Sequence, residues 1–472
     1  MKILLAASEA SPFVRTGGLG DVMGALPLAL KRKKQEVAVV IPLYEDMKPE
    51  YRNNLQYIGN ITVPLGWRNQ YAGVFKSNYN GIDYYFIDNE FYFKRKGFYG
   101  HFDDGERFAF FSKAVLETMQ VTKFYPDVLH CNDWQTGLIP LYLDCFYRYV
   151  DGYKTMKTVL TIHNIEFQGN MDKYVIDNVF GIPASHYAIA EYKHDANMLK
   201  AGIESANRVV TVSPTYANEI LDPYYSYGLD NILNARRYKL SGIVNGIDVD
   251  LYNPETDKAL FANYNYKTYA KKAENKHGLQ ELFGLPKNDK PVIGMVTRLT
   301  TQKGIDLILG VIRDILSMDL QLVILGTGDW KYENALKEVA KQFPTKLATA
   351  IYFSADVASK IYAGSDIFLM PSKYEPCGLS QMIAMRYGTI PVVRETGGLK
   401  DTVPAFNPET KEGLGFTFKT YNAHDMLDAI RRALDCYYQP ELWYKGVVKN
   451  AMSADFSWDK SAEQYLALYK SL

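Results

Sequence analysis

Short runs of β-branched and aliphatic residues alternate along the chain with longer stretches whose apolar positions recur about every three to four residues. That alternation is the pattern of a parallel sheet with crossover helices. In the first half, Lys2–Ala7, Glu36–Ile41, Ile82–Asp88, Val128–Cys131, Thr158–His163 and Arg208–Val212 read as strands. Asp21–Lys31, Arg107–Met119 and Asn197–Ala206 read as helices, and Gly17–Gly20 as a loop. The basic run Lys31–Lys34 closes the first helix, where cations favour the macrodipole, so it reads as a solvated helix end.

The pattern then restarts. Val244-Asn245-Gly246-Ile247-Asp248 is followed by the polar stretch Leu251–Tyr266, and a new series begins at strand Pro291–Val296. It continues with helix Ile305–Leu316, strand Gln321–Leu325, helix Tyr332–Gln342, strand Ala350–Phe353, strand Ile367–Met370 and helix Leu379–Tyr387. The restart predicts an α/β protein of two doubly wound Rossmann-like domains facing across a deep cleft, with a hinge near Asn245. Residues 1–244 form the first expected domain, 245–455 the second, and 456–472 a terminal helix.

Composition narrows the class. With 53 Lys+Arg against 53 Asp+Glu the chain is formally neutral, which argues against nucleic acid as a main partner. A 47% hydrophobic share excludes intrinsic disorder. Cys131, Cys145, Cys377 and Cys436 form no C-x-x-C pair for zinc or redox chemistry, and suit a reducing compartment. The run Ile3–Ala7 is too short for a signal-peptide core and no stretch approaches a membrane span, so a soluble cytoplasmic protein is expected. Aromatics make up 14% of the chain and Tyr dominates; such rings stack on sugars, yet most belong in cores, so carbohydrate gains little from the count.

In doubly wound sheets the informative residues lie just after strands. After the first strand, Arg15-Thr16-Gly17-Gly18-Leu19-Gly20-Asp21 sets paired glycines at a helix N-terminus, where amides and dipole can receive a phosphate; a plain tight turn has the same composition. Cys131-Asn132-Asp133-Trp134 and His163-Asn164 follow two further strands; His and Asp there serve as caps or as catalysts. Arg298 and Lys303, in one loop between strand and helix, suit a diphosphate or a set of surface ion pairs. Glu375-Pro376-Cys377-Gly378-Leu379 offers a carboxylate for sugar hydroxyls beside a flexible glycine, or a helix N-terminal acid. Thr396-Gly397-Gly398 repeats the paired glycines and would add a second set of N–H donors.

Taken in order, the first-strand loop, His130–Trp134, Ile162–Ile165, Val212–Ala217, Val244–Asp248, the Arg298/Lys303 loop, Glu375–Leu379 and Arg394–Leu399 resemble the motifs of bacterial glycogen synthases and plant starch synthases. The chain is similar to these from end to end, and Asp455-Phe456-Ser457-Trp458 resembles the entry to a family helix that returns to the first domain. The resemblance implies a GT-B fold and retaining transfer of α-glucose from ADP-glucose to the non-reducing end of an α-1,4-glucan, without metal or other cofactor. Partners would be the nucleotide sugar and glycogen, with neither nucleic acid nor membrane involved.

By the same resemblance, Arg298 and Lys303 match the diphosphate clamp, His163 a residue at the anomeric carbon, Glu375 the sugar-holding carboxylate and Asp133 an acid near the reacting glucose. Arg15, Gly17, Gly18, Asp21, Asn245, Phe353, Cys377, Gly378, Leu379, Thr396, Gly397 and Gly398 fall on the donor side, with Phe353 ending a strand and stacking on the base. Tyr99, Arg107 and Trp134 fall in the acceptor region. Asp248-Val249-Asp250 has the look of a metal motif but sits at the hinge. Two departures stand out: Arg15 replaces the usual Lys, and Ile383 occupies a position where the wider retaining class often has Glu. A UDP-glucose-using synthase, a phosphorylase, an epimerase and a catalytically silent glucan-binding protein are the alternatives.

Overall fold

The computed structural model describes residues 1 to 472. They divide into two compact units, Met1–Asn245 with Trp458–Leu472, and Gly246–Ser457.

The first unit contains β1 Lys2–Ala6, β2 Glu36–Pro42, β3 Gln56–Leu65, β4 Arg68–Tyr79, β5 Ile82–Asp88, β6 Val128–Asn132, β7 Lys157–Ile162, β8 Asn170–Asp172, β9 Glu191–Tyr192, β10 Asp195–Asn197, β11 Arg208–Thr211 and β12 Leu240–Gly242. Nine of them form one sheet in the order β12-β11-β7-β6-β1-β2-β5-β4-β3, and β8, β10 and β9 form a small antiparallel one. β1, β6 and β7 lie inside the large sheet and are buried almost throughout, which is why they read as continuous apolar runs. β3 and β4 form a long antiparallel hairpin with many exposed positions, an element the hydrophobic pattern does not announce.

The second unit carries β13 Val292–Val296, β14 Gln321–Leu325, β15 Leu347–Ala350, β16 Ile367–Met370, β17 Ile390–Arg394 and β18 Phe416–Phe418. All are parallel, in the order β15-β14-β13-β16-β17-β18, the doubly wound arrangement. The strand order reverses between β1 and β6 in the first unit and between β13 and β16 in the second. Ligands of such sheets bind beyond the strand ends at the reversal. The loops after β1, β6, β13 and β16 are therefore the places where this fold builds sites.

Helix Trp458–Lys470 belongs to the first unit: Trp458, Ala462, Tyr465, Leu466 and Tyr469 are buried in its core. Ser461 Oγ donates to the Val244 carbonyl at 2.6 Å. Arg32 and Lys33 pair with Asp459 and Glu463 at 2.9 and 2.5 Å, so the basic helix end is more than a solvated terminus: it receives this helix.

Three expected elements differ in detail. Ile305–Leu316 is not one helix; Ile305–Gly310 and Ile312–Ser317 are separated at Val311, whose backbone leaves the helical region at φ −130°, ψ 21°. The strand expected at Ala350–Phe353 ends at Ala350, because Ser354 caps the next helix through its hydroxyl and the intervening residues turn toward it. The first helix begins at Gly18 and absorbs most of the expected loop.

Candidate active site

The loop after β1 is organised around Glu9, which is 3% exposed. Its carboxylate accepts the Thr16 N–H, the Thr16 hydroxyl at 3.0 Å and the Gly17 N–H. The Gly17 amide, expected to face a phosphate, is thus engaged by an internal anion. Burial raises the Glu9 pKa against the lowering effect of these bonds. Beyond Gly17 the helix Gly18–Arg32 starts, and a Cβ added at either glycine meets no atom within 4 Å, so this helix end is open. Arg15 pairs with Asp21 at 2.9 Å. Burial pushes the Asp21 carboxyl up to about 6, opposed by that guanidinium.

At the ends of β6 and β7 three polar residues interlock. Asp133 holds φ 58°, ψ −175°, a backbone region essentially reserved for glycine, and such strain costs about 1–3 kcal/mol. Its carboxylate accepts the backbone N–H of His163 at 2.7 Å and that of Asn164, while its own N–H donates to Thr161 O at 2.9 Å. Asp133 therefore stitches one strand end to the next; burial lifts its pKa to about 7. His163 Nε2 lies 2.9 Å from Asn132 Oδ1, and burial lowers its pKa to about 3.

The three acceptor-side candidates are largely built into the protein. Trp134 is buried edge-on to Phe108, with ring centroids 5.1 Å apart. The Tyr99 hydroxyl lies 2.7 Å from Ser8 Oγ. Arg107 corrects the expectation of a contact residue. It is completely buried, its guanidinium donating to Tyr92 O at 2.7 Å and pairing with Asp104, so it braces the Tyr92–Asp104 segment.

In the second unit the loops after β13 and β16 pack directly on each other. Gly304 adopts φ 76°, and a Cβ there would lie 2.2 Å from Pro371 O, so only glycine permits the approach. Lys373 N donates to Gln302 O at 2.8 Å. The approach brings Lys303 Nζ to 2.6 Å from Glu375 Oε2, with side chains 15% and 8% exposed; Ser372 Oγ donates to the same oxygen at 3.0 Å. Arg298, in the same loop as Lys303, is exposed and makes no ion pair. The clamp residues are thus unlike: one cation is free and the other is held by the carboxylate expected to hold sugar.

The second glycine pair is not a free donor set. Gly398 N donates to Glu375 O at 3.0 Å and Pro376 O at 3.2 Å, and a Cβ on Gly397 would fall 1.9 Å from Glu375 O. Thr396, Gly397 and Gly398 are buried and support the Glu375 loop from behind. Gln381 Nε2 donates to Cys377 O at 3.1 Å and Gly378 O at 2.9 Å, fixing the stretch that runs on to the half-buried Leu379. Phe353 is 84% exposed beyond the end of β15 rather than within a strand. Asn245, last residue of the first unit, is 6% exposed with its Oδ1 unpaired. In the Asp248–Asp250 segment, Asp248 Oδ1 accepts the N–H groups of Asp250 and Leu251, both at 3.0 Å, and so closes a local turn.

Glu9, Asn132, Ser372 and Gln381 were not singled out from sequence. Glu9 and Asn132 had a readable signal: each is a polar residue at or just past the end of an apolar strand. The roles of Ser372 and Gln381 depend on contacts that only the folded loops create.

Two doubly wound units in one chain, each with charged and sugar-compatible groups at its strand reversal, define a glycosyltransferase of the GT-B class. Residues 2–235 match the family described as "Starch synthase catalytic domain" and residues 281–446 match "Glycosyl transferases group 1". The chain is 49% identical to the glycogen synthase of Geobacillus thermodenitrificans, over 100% of this chain and 98% of that protein. It is 50% identical to that of Clostridium acetobutylicum over 100% of both. The solved catalytic domain of starch synthase IV from Arabidopsis thaliana, bound to ADP and acarbose, is 34% identical, with a TM-score of 0.90 over 100% of this chain and 98% of that one. A sucrose-phosphate synthase from Thermosynechococcus elongatus, 17% identical with a TM-score of 0.62 over 100% of this chain and 98% of that one, shares the fold. The chain belongs to the glycogen synthase and starch synthase family.

Proposed function

We propose that the protein is a glycogen synthase that transfers α-glucose from ADP-glucose to the non-reducing end of an α-1,4-glucan, with retention of configuration. The observation that favours this most is the Lys303–Glu375 pair at 2.6 Å, with the unpaired, exposed Arg298 in the same loop as Lys303. Breaking the anomeric C–O bond builds negative charge on the leaving diphosphate and positive charge on the sugar, so the reaction needs cations at one end and electron-rich oxygens at the other. Arg298 is ready for the diphosphate. Lys303 turns from Glu375 to the phosphate when the donor arrives, and Glu375 is released to accept sugar hydroxyls.

In this reading Asp133 is a positioning residue, since its carboxylate oxygens already receive backbone N–H groups; it holds His163 beside the transferred glucose. The departing phosphate takes the proton of the acceptor hydroxyl, so no protein nucleophile is required. Arg15, Asp21, Asn245, Phe353 and the Cys377–Leu379 backbone bind the donor. With Arg298 and Lys303 as counter-charges the reaction runs without a divalent metal, in the cytoplasm. Transfer of labelled glucose onto glycogen, with ADP-glucose and UDP-glucose side by side and a chelator present, tests the proposal. Growth of glucan with release of ADP is expected; donor breakdown without glucan growth, a preference for UDP-glucose, or complete dependence on magnesium would overturn the corresponding part.

A further inference from the structure

Asn132, the last residue of β6, is fully buried, and its side-chain amide makes three hydrogen bonds. Its N–H donates to Thr136 Oγ1 at 2.6 Å, and its Nδ2 donates to Ala6 O at 3.1 Å and His130 O at 3.3 Å. Both side-chain partners of Nδ2 are carbonyl oxygens, which only accept. The amide therefore has one possible orientation, because the flipped form would face two carbonyl oxygens with a third oxygen. Oδ1 is left pointing at His163 Nε2, 2.9 Å away. An amide oxygen has no proton to give, so the proton on that hydrogen bond must sit on Nε2. No protein group bonds His163 Nδ1.

We infer that Asn132 is a positioning residue that locks His163 as its Nε2–H tautomer, so that the bare Nδ1 accepts a hydrogen bond from one hydroxyl of the transferred glucose. The inference rests on the proposed glucosyl donor only for the identity of that hydroxyl; the tautomer itself is a property of the free protein. Burial supports the same state, since it lowers the His163 pKa to about 3 and keeps the ring neutral at working pH. The groups facing the residue agree: His130 is likewise held neutral, and the Asp133 carboxylate meets the backbone N–H of His163. The consequence is selective. A neutral acceptor prefers a sugar that presents a hydroxyl donor, and it adds no positive charge beside a ring that becomes cationic in the transition state.

The test is nitrogen NMR of the intact protein labelled at the histidine ring nitrogens, with His163 assigned from the signals lost in His163→Gln. Nε2 is expected to show a protonated signal and Nδ1 a bare one. Adding ADP-glucose should shift the Nδ1 signal as a lone pair accepting a hydrogen bond does, and one member of a series of monodeoxy donors should leave it unmoved. Asn132→Leu should abolish the tautomer preference, which loss of packing alone would not do. A protonated Nδ1 in the unmodified protein, or the same fixed tautomer in Asn132→Leu, would overturn the inference. If Asn132→Leu fails to fold, the spectrum of the unmodified protein decides. A correct tautomer in a protein that transfers no glucose would sink the proposed activity and spare the tautomer.

Discussion

Removing either member of the Lys303–Glu375 pair should separate two effects that a single contact combines. At 2.6 Å, with 15% and 8% of the side chains exposed, the pair is buried enough that a lone survivor would be an uncompensated charge. Breaking a buried pair from one side typically costs about 3–5 kcal/mol of stability. Glu375 would retain only the Ser372 hydroxyl at 3.0 Å, a partial substitute. The same side chains are proposed to meet charge that develops during transfer, and loss of one preorganised partner there costs about 2.7–4 kcal/mol, or roughly 10²–10³ in kcat. Lys303→Met, Glu375→Gln and the double variant resolve the two. Denaturant unfolding should show each single variant destabilised and the double variant recovering most of the loss, because no stranded charge remains. Glucan elongation followed by ADP release should show no such recovery. Near-normal turnover in either single variant would show that the pair is only structural. Additive stability losses in the double variant, with coupling below about 0.5 kcal/mol, would show that the ion pair contributes nothing to the fold.

Arg15→Lys should keep donor kcat/KM within about tenfold, roughly 1.4 kcal/mol, whereas Arg15→Ala should weaken donor use more than glucan use; unchanged donor kinetics in Arg15→Ala would leave Arg15 serving Asp21 alone. Glu9→Gln should raise the donor KM by about tenfold, since a buried acceptor bonded to the Thr16 and Gly17 amides is replaced by a group that also presents donors; a donor KM equal to that of the unmodified protein would disconnect Glu9 from the donor loop. His130 is held neutral by burial, with its pKa lowered to about 3 from an ordinary 6.5, so between these values the unfolded chain binds the extra proton and stability falls as pH falls. Between pH 6.5 and 5 this one residue should remove about 1.5–2 kcal/mol, seen as a steeper decline in unfolding midpoint for the unmodified protein than for His130→Gln; parallel declines would contradict it.

The doubly wound framework was legible because its inner strands are buried on both faces and so appear as unbroken apolar runs, as in β1, β7 and β16. The β3–β4 hairpin escaped because its exposed positions dilute the apolar signal, and Phe353 was misplaced because the Ser354 cap stops the chain from continuing the strand. Among candidate site residues, the motifs singled out Lys303 and Glu375 but not their contact, which spans 72 positions and depends on Gly304 letting two loops touch. Arg107 and Gly398 share one lesson: a charged side chain and a glycine amide look available in sequence, while in the fold Arg107 Nε donates to Tyr92 O and Gly398 N to Glu375 O.

The return of helix Trp458–Lys470 to the first unit has a consequence for the time before the protein is finished. Everything from Gly246 to Ser457 must be synthesised before Trp458 exists. At about 5–20 residues per second that interval is roughly ten to forty seconds. Throughout it, the seat for Trp458, Tyr465 and Tyr469 stands uncovered, and the His130 Nδ1 that later meets the Tyr469 hydroxyl at 2.7 Å has no such partner. A nascent chain stalled anywhere in the second unit would display that apolar groove for as long as the stall lasts, which makes translation speed through Gly246–Ser457 a determinant of yield and makes interrupted products ready substrates for chaperones and proteases.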